Sequence, residues 1–145
     1  MSTTYDPSMI VASFLGIPIS GYADGTFVAV ERNNESFTLM VGAGGEAARA
    51  RSRNSSGKVT FTLMSTSPVN DLLSAAWHAD ELTGSGVGPV IVKDMSGGTL
   101  CRANNAWIQK APKVEYGKEI STREWVIECE SVYINTGGTI ALAVD

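Results

Sequence analysis

The sequence contains only one histidine, His78, among its 145 residues. A metal site built from two or three imidazole rings therefore cannot form within one chain. A serine–histidine–aspartate arrangement would have to use His78, and no serine lies in the Gly-x-Ser-x-Gly turn that exposes a nucleophile. The phosphate-binding pattern Gly-x-x-x-x-Gly-Lys is also missing. We therefore expect a protein that is not an enzyme and that needs no metal or cofactor.

Cysteine is scarce as well. Cys101 and Cys129 are the two in the sequence, and each lies in a segment that alternates like a β-strand. They do not have the spacing of a metal site. In a reducing compartment we expect both to remain thiols and to act as small buried hydrophobic residues.

The net charge is small and negative. The formal charge is −4 and the isoelectric point is about 5.0, so the overall field repels a phosphate backbone. No apolar run approaches the roughly 20 residues that a helix needs to cross a bilayer, and the first residues do not resemble a signal peptide. We expect the protein in the cytosol, or in an assembly formed there, without membrane insertion.

What the sequence does have is the composition of a globular protein, with 43% hydrophobic and 18% charged residues. A chain of this length is long enough to bury one core and too short for two domains. We expect a single domain over residues 1–145.

Most of the sequence alternates between apolar and polar residues with the period of two that is typical of half-buried strands. Residues 58–64 are the clearest case, because Val59, Phe61 and Leu63 share one face. Turn residues at 23–25 and 94–98 favour hairpins, so the fold is predicted to be mainly β and antiparallel. The other predicted strands cover residues 9–15, 17–22, 26–32, 37–41, 90–93, 100–103, 106–110 and 123–134.

One segment departs from this pattern, because residues 68–82 have the apolar spacing of an α-helix. Ser67 can cap the first turn, and Gly84 can end the helix. A helix this short is stabilised mainly by packing, so its apolar side is expected to cover an open face or end of the sheet. The residues predicted to pack in the core are Val69, Leu72, Leu73, Ala76 and Trp77.

The longest segment without periodicity is residues 42–57, which contains Arg49, Arg51 and Arg53. Hairpin loops usually have about two to five residues, and much longer ones are often functional or disordered. Arginines spaced by two project from one side of an extended arm. Three interpretations are open: a solvated loop, a contact with an acidic patch on another protein, and nucleic-acid binding. The lack of interleaved aromatic residues counts against nucleic acid.

Two further features concern the C-terminal part. Glu124, Glu128 and Glu130 lie on the polar side of the last predicted strand, where a solvated face is a better interpretation than an acid–base pair. Residues 135–145 include two glycines followed by an apolar stretch over 140–144. This tail is expected to be either a small extra strand or an arm that docks on a neighbour.

In order and spacing, several stretches of the chain resemble the tail tube proteins of contractile-tailed bacteriophages. Two of them are Gly21-Tyr-Ala-Asp-Gly-Thr-Phe27 and Lys118-Glu-Ile-Ser-Thr-Arg-Glu-Trp125. None is a chemical motif, and the specificity comes from all of them together. The stretches are residues 1–7, 21–27, 31–32 with 37, 41–42 with 45–46 and 48–49, 67–73, 86–89 and 118–125.

The resemblance implies an antiparallel β-sandwich or small β-barrel with one packed helix, related to the type VI secretion tube protein. Six copies would form a ring, and rings would stack helically into a hollow tube inside a contractile sheath. DNA would pass through the channel during ejection without specific binding. The other partners would be the sheath, baseplate and tail terminator proteins, and the protein would belong to the virion after assembly in the host cytoplasm.

The resemblance also implies roles for individual residues. In such tubes a long hairpin between early strands reaches an adjacent ring, and it corresponds here to residues 42–57. An acidic face would suit a channel past which DNA must slide, although the same face can meet the sheath instead. The implied inter-ring contacts are Glu46, Arg49, Arg51, Arg53 and Lys58, and the implied channel residues are Glu124, Glu128 and Glu130.

Two other functions are possible alternatives to a tube subunit. A baseplate protein, a tail-completion protein or a type VI secretion-like tube protein on the same scaffold would bind other partners. A small-ligand β-barrel would need an apolar pocket with polar anchors, and the sequence reveals no such set of anchors.

Overall fold

A computed structural model of the chain describes residues 4–138. The mainly β, antiparallel fold with one helix is confirmed. Of the C-terminal tail predicted over residues 135–145 as an extra strand or an arm, residues 139–145 lie outside the described residues. The strands are β1 Ile10–Phe14, β2 Ile17–Pro18, β3 Val28–Arg32, β4 Phe37–Val41, β5 Ala47–Arg51, β6 Gly57–Met64, β7 Gly88–Asp94, β8 Leu100–Lys110, β9 Thr122–Cys129 and β10 Tyr133–Asn135, and the helix α1 is Val69–Thr83.

Eight strands form one antiparallel sheet in the order β2-β1-β7-β8-β9-β6-β3, with β10 also paired to β8. Cys129 of β9 pairs with Ala106, and Tyr133 of β10 pairs with Arg102, so both strands follow one register along β8. Residues 130–132 interrupt that line. The single strand predicted over residues 123–134 is therefore two short strands on the same side of β8.

The two predicted turns have different outcomes. Residues 94–98 join β7 to β8 as expected. Residues 23–25 do not form a hairpin between neighbouring strands, because β2 pairs with β1 while β3 pairs with β6, at the other end of the sheet order. Tyr22 makes only an isolated bridge, to Leu63. The strand predicted over residues 17–22 is consequently reduced to β2.

The core is one cluster in which inward side chains from β1, β7 and β8 meet those from β6 and β9. The alternation in β6 and β9 has its predicted effect, since every second residue is buried. Removing such side chains from water is the main source of stability, at about 1.5–3 kcal/mol for each large one. The large side chains that are fully buried include Trp125, Phe14, Phe61, Leu63, Leu73 and Ile127.

Helix α1 follows β6 and covers one end of this core. Ser67 Oγ accepts the Val69 N–H at 3.3 Å, which satisfies one of the free donors of the first turn. Gly84 ends the helix in the left-handed region at φ 71°, and its N–H donates to the Asp80 carbonyl. Trp125 Nε1 donates to Asn70 Oδ1 at 2.9 Å and connects helix to sheet. Among the described residues, no helix is long and apolar enough to cross a membrane.

Candidate assembly surfaces

The hairpin of β4 and β5 is separate from the main sheet. Its two strands pair only with each other, and every residue from 31 to 51 is exposed. Each strand has five residues and spans about 17 Å at the usual rise. Residues 42–57 are therefore not one long loop, since β5 occupies their middle. The hairpin packs nothing into the core of its own chain.

One face of the hairpin combines apolar and cationic side chains. Arg49 pairs with Leu39 and Arg51 pairs with Phe37, so these four side chains share a face. The Arg49 guanidinium lies 4.2 Å from the centroid of the Phe37 ring, a cation–π contact that holds the arginine against the strand. We call this set, Phe37, Leu39, Arg49 and Arg51, the arginine face. Met40 and Ala48 pair with each other on the opposite face.

The other residues expected to act with these arginines are divided between two places. Glu46 lies in the tight turn of the hairpin and is exposed, and Arg53 is exposed just beyond β5. Lys58 does not belong to this group. It lies in β6, where it pairs with Glu31 on one side and Glu128 on the other. Lys58 therefore lies in the strand predicted for it and not on the hairpin, and its part in an inter-ring contact stays a prediction.

The acidic face predicted on β9 is mixed in charge. Glu124 is exposed, and the half-buried Glu128 accepts a hydrogen bond from Asn33 Nδ2 at 3.0 Å. Lys58 lies on the same outer face as Glu128. Glu130 follows the last residue of β9, and its backbone N–H donates to the Asn105 carbonyl. The outer face is thus polar and only weakly acidic.

The helix packs with a narrower apolar stripe than the sequence suggests. Val69 and Leu73 are buried, and Ala76 and Trp77 are half-buried against the core. Leu72 is 52% exposed, so its expected place in the core is wrong. A single helix lying against the end of a sheet buries the positions i, i+4 and i+7 or i+8, and Leu72 is turned by about 100° from Leu73.

A cavity of about 490 Å³ opens where the free edge strand β3 approaches β7, β8 and β10. Its wall is largely apolar, and Asp94 lies in it with the carboxylate almost completely buried. We call this cavity the mouth. The residues that line it are Tyr5, Ile10, Gly25, Thr26, Phe27, Val28, Val30, Val92, Asp94, Thr99, Cys101, Ile134 and Thr136.

Two buried side-chain oxygens, one in the mouth and one in a neighbouring cavity, have no hydrogen-bond partner within residues 4–138. Asp94 Oδ1 accepts from Ser96 N at 2.9 Å and from Ser96 Oγ at 2.7 Å, whereas Oδ2 has no partner there. The Tyr22 hydroxyl is in the same situation. It lines a second cavity that shares Tyr5 and Phe27 with the mouth, and burial raises the pKa of this phenol. The sequence does not predict a role for either residue, because the alternation of apolar and polar residues does not reveal which buried oxygen lacks a hydrogen-bond partner.

The remaining chemistry of the described residues is limited. No three of their histidine, cysteine, aspartate and glutamate side chains are grouped as a metal site. Cys101 and Cys129 are buried thiols. Burial raises the pKa of Cys101, and burial together with the nearby Glu128 carboxylate raises the pKa of Cys129 to about 11. Both therefore stay protonated and unreactive near neutral pH. His78 is exposed beside Trp77.

Comparison with known proteins gives matches over nearly the whole chain. The model of the family described as bacteriophage PhiTE tail tube protein matches residues 11–137. Structural protein ORF10 of Pseudomonas phage KPP10 is 29% identical over 94% of this chain and 84% of its own length.

Solved structures share the fold at low sequence identity. The tube-terminating cap of the anti-feeding prophage has a TM-score of 0.61 at 10% identity, over 94% of this chain and 93% of its own. The sheath/tube terminator of the extracellular contractile injection system PVC has a TM-score of 0.58 at 10% identity, over 93% and 99%. A chain of the PVC sheath–tube complex has a TM-score of 0.56 at 11% identity, over 91% of each chain.

Proposed function

Because this chain belongs to the bacteriophage PhiTE tail tube protein family, and is thus a structural protein of a phage tail and not an enzyme, we propose that it is the repeating subunit of the inner tube. Six copies form a ring, and rings stack helically into a hollow tube inside a contractile sheath. DNA passes down the channel during ejection. The chain acts as one domain over residues 1–145, and it is assembled into the virion in the host cytoplasm.

The observation that carries this proposal is the exposed hairpin. A ribbon of two strands is marginally stable by itself in water, yet β4 and β5 have no contact with the core of their own chain and expose Leu39 at 72%. Such a surface is expected to be covered by another chain. A hairpin that meets a different surface of the next copy makes a heterologous contact, which closes into rings or propagates into helical filaments.

The outer face of β6 and β9 is our candidate for the channel wall. It carries Glu124 and Glu128 on β9, with the half-buried Val126 between them, and Thr60 and Thr62 beside them on β6. A weakly acidic, polar wall repels the phosphate backbone and offers DNA no adhesive site. Glu130 follows the end of β9 and is a further candidate for this wall.

The partners proposed besides the chain itself are the sheath, baseplate and tail terminator proteins. The structural neighbours include a chain of a sheath–tube complex and two terminators, which supports contacts with a sheath and with a terminator. DNA is a passenger in the channel and not a specific ligand.

A second candidate function is that of a tail terminator, because two of the neighbouring structures are terminators with TM-scores of 0.61 and 0.58. A terminator would cap a tube and would not add to itself beyond one ring. Electron microscopy of the purified protein separates the two functions: tubes of many rings support the tube subunit, and single rings that never lengthen support the terminator.

The tube proposal is tested by reversing the charges of the hairpin. In the variant Arg49→Glu, Arg51→Glu and Arg53→Glu, we expect the fold to persist because all three side chains are exposed, and we expect ring stacking to be lost. Negative-stain electron microscopy measures tube number and length. The matched control changes the exposed Lys110, Lys113 and Lys118 to Glu, which alters the net charge equally. Normal tubes from the arginine variant would refute the role given to the hairpin.

A further inference from the structure

We propose that the mouth is the receptor for the arginine face of a second copy, with the Arg49 guanidinium bound by the Asp94 carboxylate. This inference rests on the proposed function, since it names the surface that an incoming hairpin occupies. The two surfaces are complementary in polarity and in charge, and they lie toward opposite ends of β3.

Within the part of the chain that the structure describes, the Asp94 carboxylate in the mouth lacks a hydrogen-bond partner for one of its two oxygens. Asp94 is only 3% exposed, and Oδ2 has no partner within residues 4–138. A buried carboxylate oxygen without a hydrogen-bond donor costs several kcal/mol in general, so such a group is normally satisfied in the functional state. A guanidinium that enters the mouth satisfies it with a charge-assisted hydrogen bond, and the apolar wall strengthens that bond by excluding water.

The apolar surroundings supply the second step. The mouth is lined by Ile10, Phe27, Val28, Val30, Val92 and Ile134. The arginine face brings Phe37 and Leu39 beside Arg49 and Arg51, on the side of the hairpin that carries all of its arginines. The apolar wall around the Asp94 carboxylate would therefore contact the apolar side chains that flank the arginines of the hairpin. A cavity of about 490 Å³ is large enough for two or three such side chains.

The Tyr22 hydroxyl is a second buried group without a partner within residues 4–138, and it lies in the neighbouring cavity that shares Tyr5 and Phe27 with the mouth. A hairpin is an extended ribbon whose outer edges carry free carbonyl and N–H groups. The phenol is available to one of these carbonyls, so the mouth and the neighbouring cavity together present one donor and one acceptor to an incoming strand. This arrangement fits a peptide ribbon better than a purely apolar ligand.

Strand β3 sets the relative position of the hairpin and the mouth. Its first residues, Val28 and Val30, line the mouth, and its last residue, Arg32, leads into the hairpin. The two ends of this strand are about 13 Å apart at the usual rise. The mouth and the hairpin thus lie toward opposite ends of β3, and no residue of the hairpin lines the mouth of its own chain. Filling the mouth with the hairpin of a second copy would add copies head to tail.

Photo-crosslinking tests the location directly. The photoreactive residue p-benzoylphenylalanine replaces Leu39 on the arginine face, or Met40 on the opposite face as the matched control. Assembled tubes made from a mixture of isotope-labelled and unlabelled chains are irradiated and digested. We expect Leu39-derived crosslinks between labelled and unlabelled chains to peptides containing Ile10, Asp94 or Ile134. The Met40 probe should give few crosslinks to these peptides. Intermolecular crosslinks that map elsewhere would overturn the inference.

A double-mutant cycle tests the pair itself. Asp94→Asn keeps an oxygen for the Ser96 contacts but offers an amide N–H where Arg49 donates. We expect the critical concentration for tube formation to rise at least about ten-fold for Asp94→Asn and for Arg49→Gln, and no further in the double variant, because the two residues act on one contact. Asp24→Asn, an exposed carboxylate beside the mouth, is the control for charge alone and should leave assembly unchanged. Additive effects would contradict the pairing.

The same set of variants separates this inference from the function on which it rests. If the wild-type chain forms no tubes, the proposed function fails. If the wild type forms tubes, the arginine-to-glutamate variant does not, and Asp94→Asn assembles normally, then only the receptor assignment fails. If removal of residues 139–145 unfolds the protein and the Leu39 probe does not reach the mouth, the chain's own end is its occupant and the inference is wrong. Circular dichroism and thermal melting check that each variant is folded.

Discussion

At the scale of single residues, burial decides which side chains stabilise the fold and which are free to meet a partner. Adjacent residues of the helix illustrate this, because Leu73 is fully buried while Leu72 is 52% exposed. The apolar spacing of the sequence includes both, and only the position of the helix against the sheet distinguishes them. The position of Asp94 cannot be predicted from the sequence either, because the cavity that it lines is formed by residues distant in sequence.

Leu73→Ala is expected to lower the free energy of unfolding by about 2–5 kcal/mol, because it removes a buried side chain and leaves a cavity. Leu72→Ala is the matched control, and its cost is expected to stay below about 1 kcal/mol, as for other exposed positions. Urea denaturation followed by tryptophan fluorescence measures both. Equal losses of unfolding free energy in the two variants would show that the buried side of the helix includes Leu72, in contradiction to the structure.

At the scale of elements, long and strongly periodic segments could be predicted from the sequence, and short or irregular ones could not. The sequence predicts β6 and α1 to within one or two residues, because their apolar periods are clear. It does not predict β5, because the residues of Ala47-Ala-Arg-Ala-Arg51 have little preference for strands. This strand forms by pairing with β4. The sequence predicts two strands in place of β8 because Asn104 and Asn105 resemble a break, whereas they continue the strand between its two neighbours.

Removing the hairpin is expected to leave the rest of the fold intact. A variant in which Asn-Gly replaces residues 35–54 keeps the backbone contact from Asn33 N to the Ser56 carbonyl, and Asn-Gly suits a two-residue turn. The thermal midpoint should change by no more than a few degrees, since every residue from 35 to 51 is exposed. Differential scanning calorimetry measures it. A large loss of stability would mean that the hairpin is part of the folding unit.

At the scale of the whole molecule, strand order was out of reach of sequence reasoning. Residues 23–25 favour a hairpin, yet β2 and β3 are the two ends of the sheet order. That arrangement follows from long-range pairing of β3 with β6 and of β1 with β7, which local patterns do not encode. The mouth exists only because these distant strands approach each other. The likeness to tail tube proteins predicted the family correctly, since it depends on the order of many short stretches.

The head-to-tail arrangement predicts a specific kind of inhibition. The chain without its hairpin still has a mouth and can accept a neighbour's hairpin, but it offers none to the next copy. Mixed into wild-type protein, it is expected to shorten tubes in proportion to its fraction. Electron microscopy of mixtures gives the mean length. The same variant carrying Asp94→Asn should no longer shorten tubes, and persistent shortening by that variant would contradict this scheme.

The absence of any buried residue in the hairpin also bears on how growth starts. In a free subunit the ribbon has no core of its own to hold its two strands, so it is marginally stable and loses its remaining conformational freedom at the moment of contact. When two free subunits meet, both lose conformational entropy and gain few contacts to offset that loss. A subunit that joins a tube contacts several neighbours whose hairpins are already ordered, so the contacts offset its entropy loss. Nucleation is therefore the least favourable step, and elongation from an existing platform is favoured over spontaneous aggregation in the surrounding solution.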